Sequence, residues 1–309
     1  MRASRAVLAL VLLALGCATH AVTEPALCRD RSLRSRPFAD SRVMAGDLEG
    51  VAFVSGNDEL WIGDDSANQV YIIDGEGGSF RARLRAQDFL AAFPDARSCD
   101  SGDPNVKCSY TAEFEVLAYD AASLTLYIMN TVNDVKRVPP VDKPAIFRLT
   151  KSDKDSNLRF VDWKELLPGY KYGAMVVIEG QIYIVIGNRL VAYDYEANRF
   201  AQVDATGKPL EVYTSPHGTI VGLAWTGPDL WVLHQDRTLA KVNWKEWKEL
   251  QTWDMGTLGV EFPKGLTFGR AEFFLVEGEH PNPVHVLHFA QPPRTSRAAW
   301  LGGWPRSCP

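Results

Sequence analysis

Short apolar runs, each five to seven residues long and bounded by turn residues, recur along the whole chain, and one phrase recurs with them. A strand reading Gly-hydrophobic-small-aromatic leads within a few residues into a second strand with an aromatic set between aliphatics. LEGVAF (Leu48–Phe53) is followed by ELWIGDD (Glu59–Asp65), FEVLAYD (Phe114–Asp120) by LYIMN (Leu126–Asn130), and YGAMVV (Tyr172–Val177) by IYIVIGN (Ile182–Asn188). VGLAW (Val221–Trp225) is followed by LWVLHQD (Leu230–Asp236), and KGLTF (Lys264–Phe268) by FFLVEG (Phe273–Gly278). A period of roughly 40–50 residues with several short strands in each predicts a β-propeller. The fold expected is all-β: a single propeller of five blades, or six, each a four-stranded antiparallel sheet.

The repeats open near Asp47, Glu113, Tyr170, Gly218 and Glu261, and the longer spacings contain insertions such as VNDVKRVPPVDK (Val132–Lys143). Third and fourth strands follow as QVYIID and FRARLRA in the first blade, AIFRLT and RFVDW in the second, and RLVAYD and RFAQVD (Arg199–Asp204) in the third. DWKEL (Asp162–Leu166) returns as EWKEL (Glu246–Leu250), which suggests a second register marker. Bulky aromatics at the centre of the second strand (Trp61, Tyr127, Tyr183, Trp231, Phe274) suit packing between wedge-shaped blades.

Residues 1–21 read as a signal peptide: Arg2 and Arg5 precede the apolar run Ala6–Leu15, which is too short to span a bilayer. Ala14-Leu15-Gly16-Cys17 resembles a lipobox, which would place a lipid on Cys17; Thr19-His20-Ala21 offers an ordinary cleavage site instead. The expected location is extracytoplasmic, either secreted or as an outer-surface lipoprotein. Residues 22–46 form an arm that closes the last blade, with Pro37–Met44 as its strand, and 47–309 form the propeller. Cys28, Cys99, Cys108 and Cys308 remain as an even set in an oxidising compartment. Cys99 with Cys108 would staple a polar loop and Cys28 with Cys308 would tie the chain ends, although four cysteines allow three pairings. A formal charge of -5 and a pI near 5.7 argue against a nucleic-acid or anionic-membrane binder.

Laid in register, the repeats bring Glu49, Glu115, Tyr172, Val221 and Lys264 to the start of the inner strands. Asp64, Asn130, Ile186, His234 and Glu277 stand at the end of the neighbouring strands. Three uses of this polar mouth compete. Its oxygen-rich set, with Glu49, Glu115 and Asn130 as ligands, suits calcium. Its carboxylates with a histidine suit general acid–base work, with Glu49, Glu115, His234 and Lys264 as the catalytic candidates. Otherwise Glu49, Glu115 and Lys264 form a hydrated ion-pair network that plugs the channel, while the outer residues make turn hydrogen bonds. Asp64, Asn130, His217 and Glu277 are the ligand-binding candidates; His217 and His280 lie on loops near the same end. His285 and His288 have a spacing that sets them on opposite faces of a strand. Asp64-Asp65-Ser66-Ala67-Asn68 reads as a turn, and no GxSxG, HExxH, P-loop or EF-hand pattern occurs.

DLEGVAF followed by DELWIGDDSANQVYIID resembles the repeat of extracytoplasmic propellers of the esterase-like/phytase-like, NHL and senescence-marker/gluconolactonase groups. In the lactonase-type members a central calcium is held by an inner-strand Glu with Asn and Asp from other blades, so the resemblance implies Glu49 and Asn130 as ligands. Ile186, Val221 and Lys264 fall where further ligands or open space are expected, and a lysine repels a cation. The function expected is a binding module for a protein, glycan or small molecule on the channel face. The alternative is a calcium-dependent hydrolase of an ester, lactone or phosphoester.

Overall fold

The computed structural model describes residues 27–33, 47–76, 78–96, 113–131, 133–134, 141–142, 144–151, 158–167, 169–278 and 284–289. Five antiparallel sheets stand around a central axis as a five-blade propeller. Blade 1 comprises Leu48–Val54, Glu59–Asp64, Gln69–Asp74 and Phe80–Arg85. Blade 2 comprises Phe114–Asp120, Thr125–Asn130, Ala145–Lys151 and Leu158–Glu165. In blade 3, Tyr172–Ile178, Gln181–Ile186 and Arg189–Asp194 are followed by two short strands, Arg199–Phe200 and Glu211–Thr214, that share the outer edge. Blade 4 comprises Ile220–Trp225, Leu230–His234, Thr238–Asn243 and Lys248–Asp254.

Blade 5 takes three strands from one end of the chain (Pro263–Gly269, Glu272–Glu277, Val284–Phe289) and its outer strand, Leu27–Leu33, from the other. The closing strand thus lies earlier than Pro37–Met44, which falls outside the described residues. So do Cys17, Cys99, Cys108, Cys308, His280 and residues 1–21; Cys28 lies on the closing strand. Among the described residues no helix is long and apolar enough to cross a membrane.

Burial explains why the strands read as they do. Inner and second strands are covered on both faces by neighbouring blades and form nearly continuous apolar runs. Outer strands alternate, as in Lys248–Asp254, where every second residue is exposed. The core comprises five clusters, one at each blade–blade junction, and each takes one of the second-strand aromatics: Trp61, Tyr127, Tyr183, Trp231 and Phe274. The glycine of the repeated phrase has a steric reason. A Cβ on Gly265 would stand 2.7 Å from the Glu49 carbonyl of blade 1, and one on Gly222 would stand 2.7 Å from the Leu266 nitrogen of blade 5. Backbone therefore packs on backbone around a narrow axis.

The WKEL echo is not a register marker. Trp163 lies late in an outer strand, whereas Trp247 sits at φ 52° in the turn before one. A helix that the strand pattern did not predict, Ala86–Ala92, follows blade 1 and buries Phe89 against Phe114 and Phe147 of blade 2. A buried ion pair, Glu59 with Lys151, joins the same two blades beside Trp61.

Candidate functional site

Every inner strand carries a β-bulge at the same place. Pairing shifts by one residue between Leu48 and Val51, Phe114 and Val116, Tyr172 and Met175, Ile220 and Gly222, and Pro263 and Gly265. A bulge turns one side chain out of the ladder, and the residue following the first paired one is Glu49, Glu115, Gly173, Val221 and Lys264 in turn. This corrects the blade 3 assignment. Tyr172 pairs with Ile186, is buried, and donates its hydroxyl to the Leu167 carbonyl at 2.8 Å. Gly173 holds the equivalent position, so blade 3 contributes no side chain there.

The predicted outer ring is in register (Asp64, Asn130, Ile186, His234, Glu277), but all five residues are buried and turned to the scaffold. Asp64 accepts from the backbone N–H groups of Asp47 (3.4 Å) and Ala67 (3.0 Å), the Ser66 hydroxyl (3.1 Å) and the Tyr71 hydroxyl (3.0 Å). Asn130 Oδ1 accepts from Glu113 N–H at 2.9 Å, and Glu277 Oε1 accepts from Phe262 N–H at 3.1 Å. Each pins the segment entering its own inner strand. His285 (2.9 Å) and the Glu261 and Phe262 amides hold the Glu277 carboxyl below its usual range, against the effect of burial.

His234 does the same work with a different partner. Its Nδ1–H donates to the Thr238 carbonyl (2.9 Å), which leaves Nε2 to accept from the Ser215 hydroxyl (2.6 Å). Burial depresses its pKa, so the ring is neutral. Both Ser215 and His234 are shielded from solvent, so this Ser–His pair is not open to a substrate. The His217 ring lies tilted against His234, centroids 5.2 Å apart, and meets Glu249 at 3.0 Å. Asn130 therefore does not join Glu49 and Glu115 as an open ligand, and His234 does not face them as a base.

The structure adds residues that were not singled out. Asp47 and Glu113 lie one residue before their inner strands, and Asp65 lies one residue after the second strand of blade 1. Oxygens of Asp47, Glu49 and Asp65 lie within 4.8 Å of one another. Lys264 forms an ion pair with Glu49, and its stem crosses Gly278, where a Cβ would stand 2.6 Å from Lys264 Cε and 2.7 Å from Asp47 Oδ1. The D-x-E of Asp47 and Glu49 and the E-x-E of Glu113 and Glu115 are visible in the chain; Asp65 was hidden in a turn-like stretch.

One ammonium does not balance these carboxylates. Glu49 is pushed up to about 7, first by burial, then by Glu115 and Asp47, with Lys264 opposing. Glu115 is pushed up to about 7 by burial, with repulsion from Glu113 and Asp65. Asp65 rises to about 6 through burial and its acidic neighbours, and burial raises Asp47. Burial works against the Lys264 ammonium, but Glu49, Asp47 and Glu115 together raise its pKa, so it is charged. Two carboxyls thus exchange protons near neutrality beside a fixed positive charge, an arrangement suited to hydrogen-bonding a polar ligand or moving a proton. For calcium, Asp47, Glu49 and Asp65 supply the hard oxygens the ion takes, while Lys264 competes for Glu49.

No family model and no curated protein sequence matches the chain. Among solved structures, the glutaminyl cyclase of Myxococcus xanthus is similar with a TM-score of 0.52 at 11% identity, covering 87% of this chain and 97% of that one. The PQQ-bound aldose sugar dehydrogenase of Streptomyces coelicolor has a TM-score of 0.45 at 13% identity, covering 82% and 78%. A nidogen/laminin complex has a TM-score of 0.43 at 11% identity, covering 74% and 72%. The first of these likenesses bears on architecture alone: the chain has the β-propeller fold.

Proposed function

We propose that the protein is an extracytoplasmic binding module whose ligand, a small polar molecule, sits on the channel mouth formed by Glu49, Glu115 and Lys264. The observation that carries this reading is the five-fold bulge. It brings three charged side chains to one end of the axis and leaves Gly173 and Val221 as an uncharged side. Carboxylates and an ammonium side by side suit a ligand with both donors and acceptors, such as an amino acid, a peptide end or a sugar. The signal-like segment ahead of the propeller supports an extracytoplasmic location, with Cys17 as a lipid anchor point. The test is a panel of amino acids, free sugars and short peptides titrated against wild type and a Glu49→Gln/Glu115→Gln variant. Saturable thermal shifts present only in wild type support the reading.

The close approach of Asp47, Glu49 and Asp65 favours a second reading, a calcium-dependent hydrolase. Under it calcium raises the melting temperature by several degrees, chelator reverses the gain, Asp65→Asn abolishes it, and an ester or lactone is turned over. A melt indifferent to calcium and chelator sinks this second reading and leaves the first intact.

A further inference from the structure

The opposite end of the axis is built differently. Where the inner strands finish, all five blades surround a cavity of about 450 Å³, a size typical of small-molecule pockets. Residues five positions beyond the first paired residue of each inner strand fall in one tier: Phe53, Tyr119, Val177, Trp225 and Phe268. Four are aromatic, each from a different blade. The phrase that ends in an aromatic therefore builds a ring of aromatic side chains here, while the bulge near its start builds the charged mouth.

The rim is acidic. Asp120 and Glu179 stand on it, and the one cation among the described lining residues, Arg270, is met by Asp58 at 3.2 Å and Glu76 at 3.9 Å. An aromatic ring under an acidic rim complements a molecule with an apolar body and one positive charge, because π faces and carboxylates both attract cations. An apolar anion would be repelled by Glu179 and by Asp120, whose carboxylate keeps its charge while accepting from the Ala122 N–H (3.0 Å) and the Ser123 hydroxyl (2.6 Å).

We infer that this cavity is a second ligand site, for a small organic cation of the quaternary-ammonium or substituted-amine class. It is independent of the charged mouth. The test uses phenyltrimethylammonium and its neutral isostere tert-butylbenzene, followed by isothermal titration, thermal shift and tryptophan fluorescence. Expected is saturable binding of the cation, about tenfold tighter than the isostere. Glu179→Gln weakens it severalfold, Trp225→Phe diminishes the fluorescence change, and Glu49→Gln leaves it unaltered. Ala122→Trp, which plugs the rim from an exposed turn position, abolishes binding without changing the unliganded melt. Equal affinity for the two probes overturns the assignment to a cation. Absence of saturable binding, or binding that survives Ala122→Trp, overturns the site.

Discussion

Replacing Glu115 by glutamine stabilises the folded protein above neutral pH, although the change removes a charge from a polar site. Burial, then Glu113 and Asp65, raise this carboxyl from 4.5 to about 7, with Thr131 and then Lys264 opposing. A group with a raised folded pKa is neutral in both states below about 4.5, so it carries no penalty there. As pH rises through 7 the folded protein must ionise it at a cost that the unfolded chain escapes. The rise corresponds to about 3 kcal/mol at full ionisation. Solvent at the mouth and the shared charge of neighbouring acids reduce this to about 1–2 kcal/mol. At about 2 °C per kcal/mol for a chain of this size, Glu115→Gln melts about 2–4 °C higher than wild type at pH 8. The gain vanishes near pH 4.5. Differential scanning calorimetry of both proteins across that range is the assay. An equal gain at both ends, or a loss at pH 8, refutes the claim that the site holds excess negative charge.

Three further outcomes follow from the scaffold. Ala271 sits at φ 60° in the hairpin closing the first two strands of blade 5, a conformation that disfavours a Cβ, so Ala271→Gly raises stability by about 1 kcal/mol in chemical denaturation. Lys151→Met leaves buried Glu59 with only the more exposed Arg81 as an ionic partner among the described residues, and costs about 2–3 kcal/mol by the same measurement. Neutral His234 contributes stability that is full above the usual histidine range and is lost as pH falls through its depressed folded pKa. Proton uptake by this histidine in the unfolded chain accordingly lowers the melting temperature as pH falls below the usual histidine range, and His234→Gln flattens that part of the curve.

How much the chain disclosed depends on which physical constraint each residue serves. The apolar phrases made the blades legible because burial on both faces leaves no polar alternative in the inner and second strands. Where that constraint lapses, legibility lapsed too. The fourth position of blade 3 is split between Arg199–Phe200 and Glu211–Thr214, and the closing strand comes from Leu27–Leu33, a polar stretch with no repeat pattern. The site was half legible. Glu49, Glu115 and Lys264 break an apolar repeat and so announce themselves. The bulge that aims them is a backbone event without a residue code, which is why Tyr172 took the place of Gly173. Asp64, Asn130 and Glu277 look like ligands in a sequence because amide-capping and ligand-binding use the same oxygens. Only their hydrogen bonds to the segments entering the inner strands distinguish the two roles. Asp65 carried no signal beyond a turn composition, and its relation to Asp47 and Glu49 arises from the folding of two separate segments onto one end of the axis.

The proposed site of ligand recognition is the Glu49–Glu115–Lys264 mouth. Thermal-shift titration of the amino-acid, sugar and peptide panel against wild type and the Glu49→Gln/Glu115→Gln variant tests it most directly. At least one compound is expected to stabilise wild type by several degrees in a saturable manner and to leave the double variant unmoved. Compounds that stabilise both proteins equally, or a panel that moves neither, contradict it.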